Sequence, residues 1–115
     1  MTLLATQTII RTGSGLTPAY TTVTASDTFV PGNGVFLHVK NVSGTNDTCV
    51  IAVLGGDPAG LTIADVSVVV PLTTGDKMIG PLPANYFADP TTGLGTITHT
   101  QTTSVTSGIF NLQQL

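Results

Sequence analysis

The residues of this chain that could carry chemistry are two histidines, one cysteine and six aspartates. A zinc site needs three or four ligands within tetrahedral reach, which His38, His99, Cys49 and one aspartate could in principle supply. Their spacing gives no local support, because the two histidines lie on separate predicted strands with alternating polarity. We therefore expect no metal site and interpret both histidines as ordinary surface or interface residues.

Cys49 is the single cysteine of the chain, so an intrachain disulfide is impossible. It lies in an apolar run, where a free cysteine behaves as a small buried hydrophobe. A catalytic thiol needs a base and an orienting group beside it, and the neighbouring sequence supplies neither. We expect Cys49 to be a structural residue of a strand.

The aspartates all lie in or beside predicted turns, where the side chain caps its own backbone. They are Asp27, Asp47, Asp57, Asp65, Asp76 and Asp89. Their wide separation fits neither a calcium loop nor the facing carboxylate pair of a glycosidase. The glycine-rich stretches do not precede helices as phosphate loops do, and no Gly-x-Ser-x-Gly elbow occurs. The sequence therefore predicts a protein that is not an enzyme and uses no cofactor.

The elements that must position these residues are predicted to be strands. Twenty-two residues are threonine, apolar residues make up 41%, and glutamate is absent. Residues branched at Cβ are stiff in a helix and pack well on a pleated sheet. Strands or short extended segments are predicted at 3–10, 20–24, 28–30, 35–42, 49–54, 66–70, 77–79, 85–88, 94–101 and 105–112.

The short strands and their turns, which recur roughly every 8–12 residues, are typical of a sandwich or barrel. We predict one all-β domain over residues 1–115, a β-sandwich or small barrel of jelly-roll or immunoglobulin type. It should have about seven to nine strands and no helix longer than one turn. The strongest turn signal is the Pro-Gly-Asn-Gly run at 31–34. The predicted core residues are Val35, Leu37, Val39, Ile51, Val53, Val68, Val70, Ile97 and Ile109.

Charge is scarce, with three cations and six anions in the whole chain. Arg11, Lys40 and Lys77 do not cluster, which argues against nucleic acid and against an electrostatic membrane contact. No basic N-terminal region typical of a signal peptide and no transmembrane-length apolar run is present. The mean hydropathy of +0.39 indicates apolar surface covered by other protein. We expect an oligomer, a trimer above all, or many copies on a larger assembly.

Three stretches in this order resemble a known family: FLHVKN at 36–41, VVVP at 68–71 and IGPLP at 79–83. Together they are similar to the small β-rich head decoration, or capsid cement, proteins of tailed bacteriophages, especially actinobacteriophages. The resemblance spans roughly residues 1–112, and IGPLP is its most distinctive part. It implies a virion structural protein that binds the outer capsid surface and stabilises the head shell. The implied partners are the major capsid protein and copies of the chain itself, assembled in the host cytoplasm.

Two regions are the candidate contacts: the N-terminal strand, within a possible docking segment at residues 1–12, and the proline-rich segment that follows Gly80. Proline stiffens the second region, so docking would sacrifice little conformational freedom. The candidate contact residues are Thr2, Leu4, Thr6, Thr8, Ile10, Pro81, Leu82, Pro83 and Tyr86. Two alternatives stay open: another virion component, such as a head–tail connector, tail or fibre-base subunit, and a carbohydrate-binding β-sandwich. The chain has no Trp and only two Tyr, which weakens the second alternative.

Overall fold

The computed structural model describes residues 2–11, 13, 15–55 and 63–112. Two sheets pack as a sandwich-like globule, with 48% of the described residues in strands and 4% in one short helix. The prediction of an all-β sandwich with little helix is confirmed. The strands are β1 (Thr2–Leu3), β2 (Thr6–Ile9), β3 (Thr21–Thr22), β4 (Ser26–Phe29), β5 (Val35–Asn41), β6 (Asp47–Ile51), β7 (Val66–Val70), β8 (Gly75–Ile79), β9 (Gly95–His99) and β10 (Val105–Leu112), and the helix is α1 (Ala84–Phe87).

The first sheet has the strand order β1-β4-β9-β6-β7, and the second has the order β2-β10-β5-β8, with β3 also paired to β10. All these pairs are antiparallel except β1 with β4 and β2 with β10, which are parallel. The N-terminal segment therefore contributes one strand to each sheet. Leu4, between these two strands, is buried in the core.

The core lies between the sheets and is mainly aliphatic, with Phe29 and Phe87 as its aromatic members. Strand alternation on β5 turns Val35, Leu37 and Val39 inward, and each is at most 5% exposed. Four further predicted core residues are also buried: Ile51, Val70, Ile97 and Ile109. Val53 and Val68 are only partly buried, although both pack against the core.

Several predicted elements differ from the structure. The strand predicted at 3–10 divides into β1 and β2. This division is one reason why the described residues form ten strands and not the predicted seven to nine. The turn at 31–34 forms, with Gly34 at φ 80°, but it joins strands of different sheets and closes no hairpin. The sequence also predicts a break at 13–15, a turn at 55–58 and a loop at 60–65, and part of each lies outside the described residues.

Residues 85–88 were predicted to be extended, which is wrong, because Ala84–Phe87 forms the single-turn helix α1. Long-range hydrogen bonds favour the turn: the amides of Leu54 and Gly55 both donate to the carbonyl of Tyr86 at 2.9 Å. Local sequence cannot reveal bonds that arrive from another part of the chain. In the described part of the chain, no helix has the length and apolar character needed to cross a membrane.

Candidate functional site

The outward face of the second sheet carries the largest group of aromatic side chains. The alternation that buries Leu37 sends Phe36 and His38 to this face, where Phe110 lies opposite Phe36 on the adjacent strand. The rings of Phe36 and Phe110 stack with centroids 5.7 Å apart, and Tyr20 lies 5.8 Å from Phe110. These rings form the floor and wall of a surface depression.

We call this depression the aromatic cleft, and its volume is about 220 Å³. The strands supply its floor, and the segment that precedes β3 supplies Leu16, Pro18 and Tyr20 along one side. Its full lining is Ile9, Leu16, Pro18, Tyr20, Phe36, His38, Met78 and Phe110. Only Tyr20 and His38 in this set bring side-chain nitrogen or oxygen atoms, so the lining is almost wholly apolar.

Tyr20, His38 and Asp76 form a hydrogen-bonded chain at the wall of the cleft. The Tyr20 hydroxyl lies 2.8 Å from His38 Nδ1, and His38 Nε2 bonds to a carboxylate oxygen of Asp76. A carboxylate only accepts, so a neutral His38 donates from Nε2 and accepts the Tyr20 hydroxyl proton at Nδ1. This tautomer leaves the Tyr20 oxygen with acceptor capacity for a further donor.

His38 therefore departs from the expectation of an ordinary surface histidine. It is 7% exposed and fully hydrogen-bonded, because Tyr20 covers it on the outward face of the sheet. Asp76 keeps 58% of its side chain exposed. The Lys40 ammonium lies 4.1 Å from the centre of the Tyr20 ring, which is a cation–π contact. The network holds the Tyr20 ring in place as one wall of the aromatic cleft.

A second depression of about 300 Å³ continues from the aromatic cleft along the edge strand β8. The two depressions share Phe36 and Met78, and the second one ends at Gly80 and Pro81. Met78 is 68% exposed between them. We call the combined surface, which runs from Ile9 through Phe36 and Met78 to Pro81, the apolar strip.

The predicted contact residues are distributed over three environments. Leu4 and Leu82 are buried, so their side chains pack inside the chain. The exposed N-terminal residues are Thr2, Thr6, Thr8 and Ile10, on or next to β1 and β2. The structure brings the other three, Pro81, Pro83 and Tyr86, together around a groove of about 410 Å³. Their role as partner contacts stays a prediction.

The sequence analysis missed the residues that form most of the apolar strip, because they come from distant parts of the chain. Phe36 and His38 gave a usable signal, since their strand was predicted with these two side chains facing away from the core. Tyr20, Met78 and Phe110 gave no comparable signal.

Inside the sandwich, Cys49, His99 and Asp47 lie on neighbouring positions of β6 and β9. Cys49 is opposite His99 in the strand register, and His99 Nδ1 bonds to Asp47 at 2.7 Å. The strand register thus places a histidine opposite Cys49, which its neighbours in the sequence do not supply. His99 is also buried, with a side chain that is 0% exposed, which corrects its assignment to the surface.

This inner cluster does not form a reactive thiol. Burial, and then the nearby Asp47 carboxylate, raise the pKa of Cys49 to about 12. The thiolate is the nucleophile and the metal ligand, so a thiol with this pKa is inert near neutral pH. Cys49 is 0% exposed, as predicted for a buried structural residue.

The aspartates are more varied than the prediction of turn caps. Asp89 accepts from the backbone amides of Thr91 and Thr92, as a turn cap does. Asp27, Asp47 and Asp76 instead lie within strands, and the first two are completely buried. Asp57 lies outside the described residues. Within the described ranges, no three His, Cys, Asp or Glu residues are arranged to hold a metal ion.

No protein-family model matches the chain, and no curated protein or solved structure matches it. The function must therefore be argued from the residues and their geometry.

Proposed function

We propose that this chain is a virion structural protein, a decoration protein that binds the outer capsid surface of a phage head and stabilises the shell. Its partners are the major capsid protein and further copies of itself. The observation that carries the proposal is the apolar strip, which connects the two regions that the sequence analysis selected as contacts. The resemblance of the FLHVKN, VVVP and IGPLP stretches to decoration proteins supplies the biological setting.

The apolar strip has the character of a protein-binding surface. Met78 is 68% exposed. At the other end of the strip, Leu112, the last residue of β10, lies opposite Ile9 and is 53% exposed, and Ile10, which follows β2, is 36% exposed. Contiguous exposed apolar surface on a soluble domain normally marks an interaction site. Phe36 is partly exposed and adds aromatic area of the kind enriched at the centres of interfaces, while Phe110, only 4% exposed, packs beside it.

The opposite face of the sandwich has a different composition. On the first sheet, threonines face outward from the central strands, Thr96 and Thr98 from β9 and Thr48 from β6. Its exposed apolar side chains, Leu3 and Val69, lie apart from each other on the two edge strands β1 and β7. Hydroxyl groups remain hydrated at little cost, whereas exposed Met and Leu side chains gain from being covered. The two faces thus favour a domain that docks through the second sheet and presents the first sheet to solvent.

Sheet edges supply a second means of attachment. β2 has no charged residue and pairs only with β10 among the described strands. An unprotected edge offers unpaired amide and carbonyl groups to an added strand from a neighbour. β8, at the other edge of the same sheet, carries Asp76 and Lys77, and charges on an edge discourage such pairing. We assign the β2 edge to the protein partner.

The test measures binding of the purified chain to undecorated heads by co-sedimentation. Met78→Asp places a carboxylate in the strip at a position exposed enough to leave folding intact. Val42→Asp is the matched control, because Val42 is 70% exposed and is not part of the strip. We expect Met78→Asp to weaken binding at least about tenfold, which corresponds to roughly 1.4 kcal/mol, and Val42→Asp to bind like the unaltered chain.

Salt and particle type extend the same assay. Binding should change little between low and high salt, because few charges are available for screening. Binding to isolated tails in place of heads would support the alternative of a tail or connector component. Equal binding by both aspartate variants would refute docking through the strip, and a full chain that binds no particle would refute the virion assignment.

A further inference from the structure

We infer that the open edge of β7 pairs with the same edge of a second copy of the chain, in antiparallel orientation and around a two-fold axis at Val68. The proposed function includes contacts between copies, and the β7 edge is the surface that makes them. The pairing rests on the proposed function only for its use on a shell, because the features that favour it belong to β7 itself.

The β7 edge lacks the protection that other edges of the sandwich have. β7 ends the first sheet and pairs only with β6 among the described strands. Its sequence, VSVVV, contains no charge, proline or glycine. The opposite edge strand of this sheet, β1, has two residues, and β8 in the second sheet carries Asp76 and Lys77. Short or charged edges discourage strand addition, whereas a longer uncharged edge of β-branched residues invites it.

The core is incomplete where it reaches this edge. Val66 and Val68 point between the sheets and pack against the core, but they are only partly buried. The residues opposite them on β6, Ile51 and Cys49, are 0% exposed. On the outer face of the same strand, Val69 is 51% exposed. An added strand would therefore cover apolar surface on both faces of the sheet, which favours association.

The free hydrogen-bonding groups of β7 belong to two residues. Residues along a strand direct their backbone groups alternately to one neighbour and to the other. Just past β6, the amide of Ala52 donates to β9, so the preceding residue, Ile51, faces β7, where Val66 lies opposite it. Ser67 and Val69 consequently direct their amides and carbonyls to the open edge.

A second β7 matches this pattern. When two copies pair around Val68, Ser67 of each copy lies opposite Val69 of the other, and such a pair exchanges both of its hydrogen bonds. The smaller outward side chain then meets the larger one, and Val68 meets its own copy on the core side. Beyond these residues, Pro71 has no amide and ends the pairing.

Charge selects the antiparallel orientation. Asp65 immediately precedes β7 and is exposed. Antiparallel pairing places the two Asp65 residues at opposite ends, roughly 20 Å apart by the rise of a strand, which is beyond the Debye length of about 10 Å at 0.1 M salt. A parallel pair would put the two carboxylates side by side. β8 contacts β7 from the second sheet, and its Asp76 and Lys77 bring one charge of each sign per copy.

The symmetry of the pair also suits docking on a shell. A two-fold axis through an antiparallel strand pair is perpendicular to the sheet, so the two second sheets lie on the same side of the joined first sheet. The two apolar strips then face in one direction. A pair can therefore dock both strips on the same surface, which strengthens binding without any new contact.

Sedimentation of the isolated full chain over a range of micromolar concentrations measures the pairing. We expect a monomer–dimer equilibrium. Val69→Lys places a charge on the β7 edge and should raise the dimer Kd at least about tenfold. Leu3→Lys is the matched control, because Leu3 is 57% exposed on the opposite edge strand β1, and it should leave the Kd unchanged. A monomer at every concentration, a trimer, or equal effects of the two variants would overturn the pairing.

Cysteine cross-linking tests the register, and it decides the question should Val69→Lys fail to fold. In a mixture of Ser67→Cys and Val69→Cys chains, opposite Cα atoms should lie about 5.5 Å apart, within the range of a disulfide. Oxidised glutathione should therefore produce the mixed disulfide, and Leu3→Cys in place of either chain should produce none. Cys49 is buried with a pKa of about 12 and does not compete. A disulfide formed by Ser67→Cys alone would contradict pairing around Val68.

Binding to undecorated heads separates the pair from the proposed function. The dimer is measured without particles, so its absence would leave capsid binding by single chains intact. Val69→Lys should bind heads more weakly than Leu3→Lys, because it loses the second strip, and equal binding would refute the use of the pair on the shell. A dimer that binds no head would refute the proposed function, while the β7 pairing would stand.

Discussion

Replacement of Asp47 by alanine should be among the most destabilising single changes in the domain. Asp47 is 0% exposed. One carboxylate oxygen bonds to His99 Nδ1 at 2.7 Å, and the other accepts from the amides of Thr100 and Gln101 at 3.0 and 3.1 Å. Alanine would remove all three bonds and leave their donors near the core.

The expected cost follows from the burial of these groups. A buried donor left without its partner costs about 1–3 kcal/mol, and Asp47→Ala leaves three donors without theirs: His99 Nδ1 and the amides of Thr100 and Gln101. We expect Asp47→Ala to lower the free energy of unfolding by about 3–5 kcal/mol. Domains of this size have only about 5–15 kcal/mol in total, so the variant should lie close to the limit of folding.

Asp47→Asn separates the two halves of the interaction. Its remaining oxygen can keep both backbone amides, because Thr100 and Gln101 bond to the same oxygen. The new side-chain NH2 group, however, faces His99 Nδ1. Because an NH2 group only donates, Nδ1 must accept, and a neutral imidazole then carries its proton on Nε2. Nε2 is buried and has no hydrogen-bond partner among the described residues, so this variant should lose about 1–3 kcal/mol.

Urea unfolding followed by circular dichroism measures these losses, with Asp89→Ala as the control. Asp89 caps a surface turn through two backbone amides, and its replacement should cost no more than about 1 kcal/mol. The expected order of loss is Asp47→Ala, then Asp47→Asn, then Asp89→Ala. A loss below about 1 kcal/mol for Asp47→Ala would refute the reasoning. No loss in Asp47→Asn would refute the role of His99, and equal losses for both Asp47 variants would refute the role of the two backbone amides.

Three further predictions concern the core and its chemistry. Leu37→Ala or Ile51→Ala should lower the free energy of unfolding by about 2–5 kcal/mol in the same urea assay, because both side chains are 0% exposed in a packed core. A loss below about 0.5 kcal/mol at both sites would contradict their assignment to the core. Cys49, with a pKa of about 12, should be about one part in ten thousand thiolate at pH 8; it should react with a thiol reagent only after unfolding, and rapid labelling of the native chain would disprove this. EDTA should leave the melting temperature unchanged, and a sharp fall would revive a metal site at His38 or His99.

The fold was predictable from the sequence because its signals are local and periodic. The alternation in Val35–Asn41 identifies both the strand and its buried face, and β7 and β10 have the predicted bounds. The division of the first strand was not predictable, because it depends on which sheet each half joins. The helix at Ala84–Phe87 was not predictable either, since the amides that donate to its Tyr86 carbonyl come from Leu54 and Gly55, in a distant part of the chain.

The candidate site was less predictable than the fold. Polar pairs such as His99 with Asp47, 52 residues apart, depend on strand register, which composition does not reveal. Each of these residues looks ordinary alone: a histidine in an alternating strand and an aspartate beside a turn. The apolar strip likewise combines residues from the N-terminal strand, β5, β8 and β10. Only the topology of the second sheet brings them to one face.

The pairing of the N-terminal segment limits how the chain can bind a shell. β1 and β2 are hydrogen-bonded to β4 and β10, and Leu4 between them is 5% exposed. Release of this segment as a free docking strand would break both pairings and expose Leu4. Deletion of residues 2–10 would therefore confound lost docking with lost stability. The proposed contact is instead the free edge of β2 beside the apolar strip, where a partner can bind without unfolding any part of the domain.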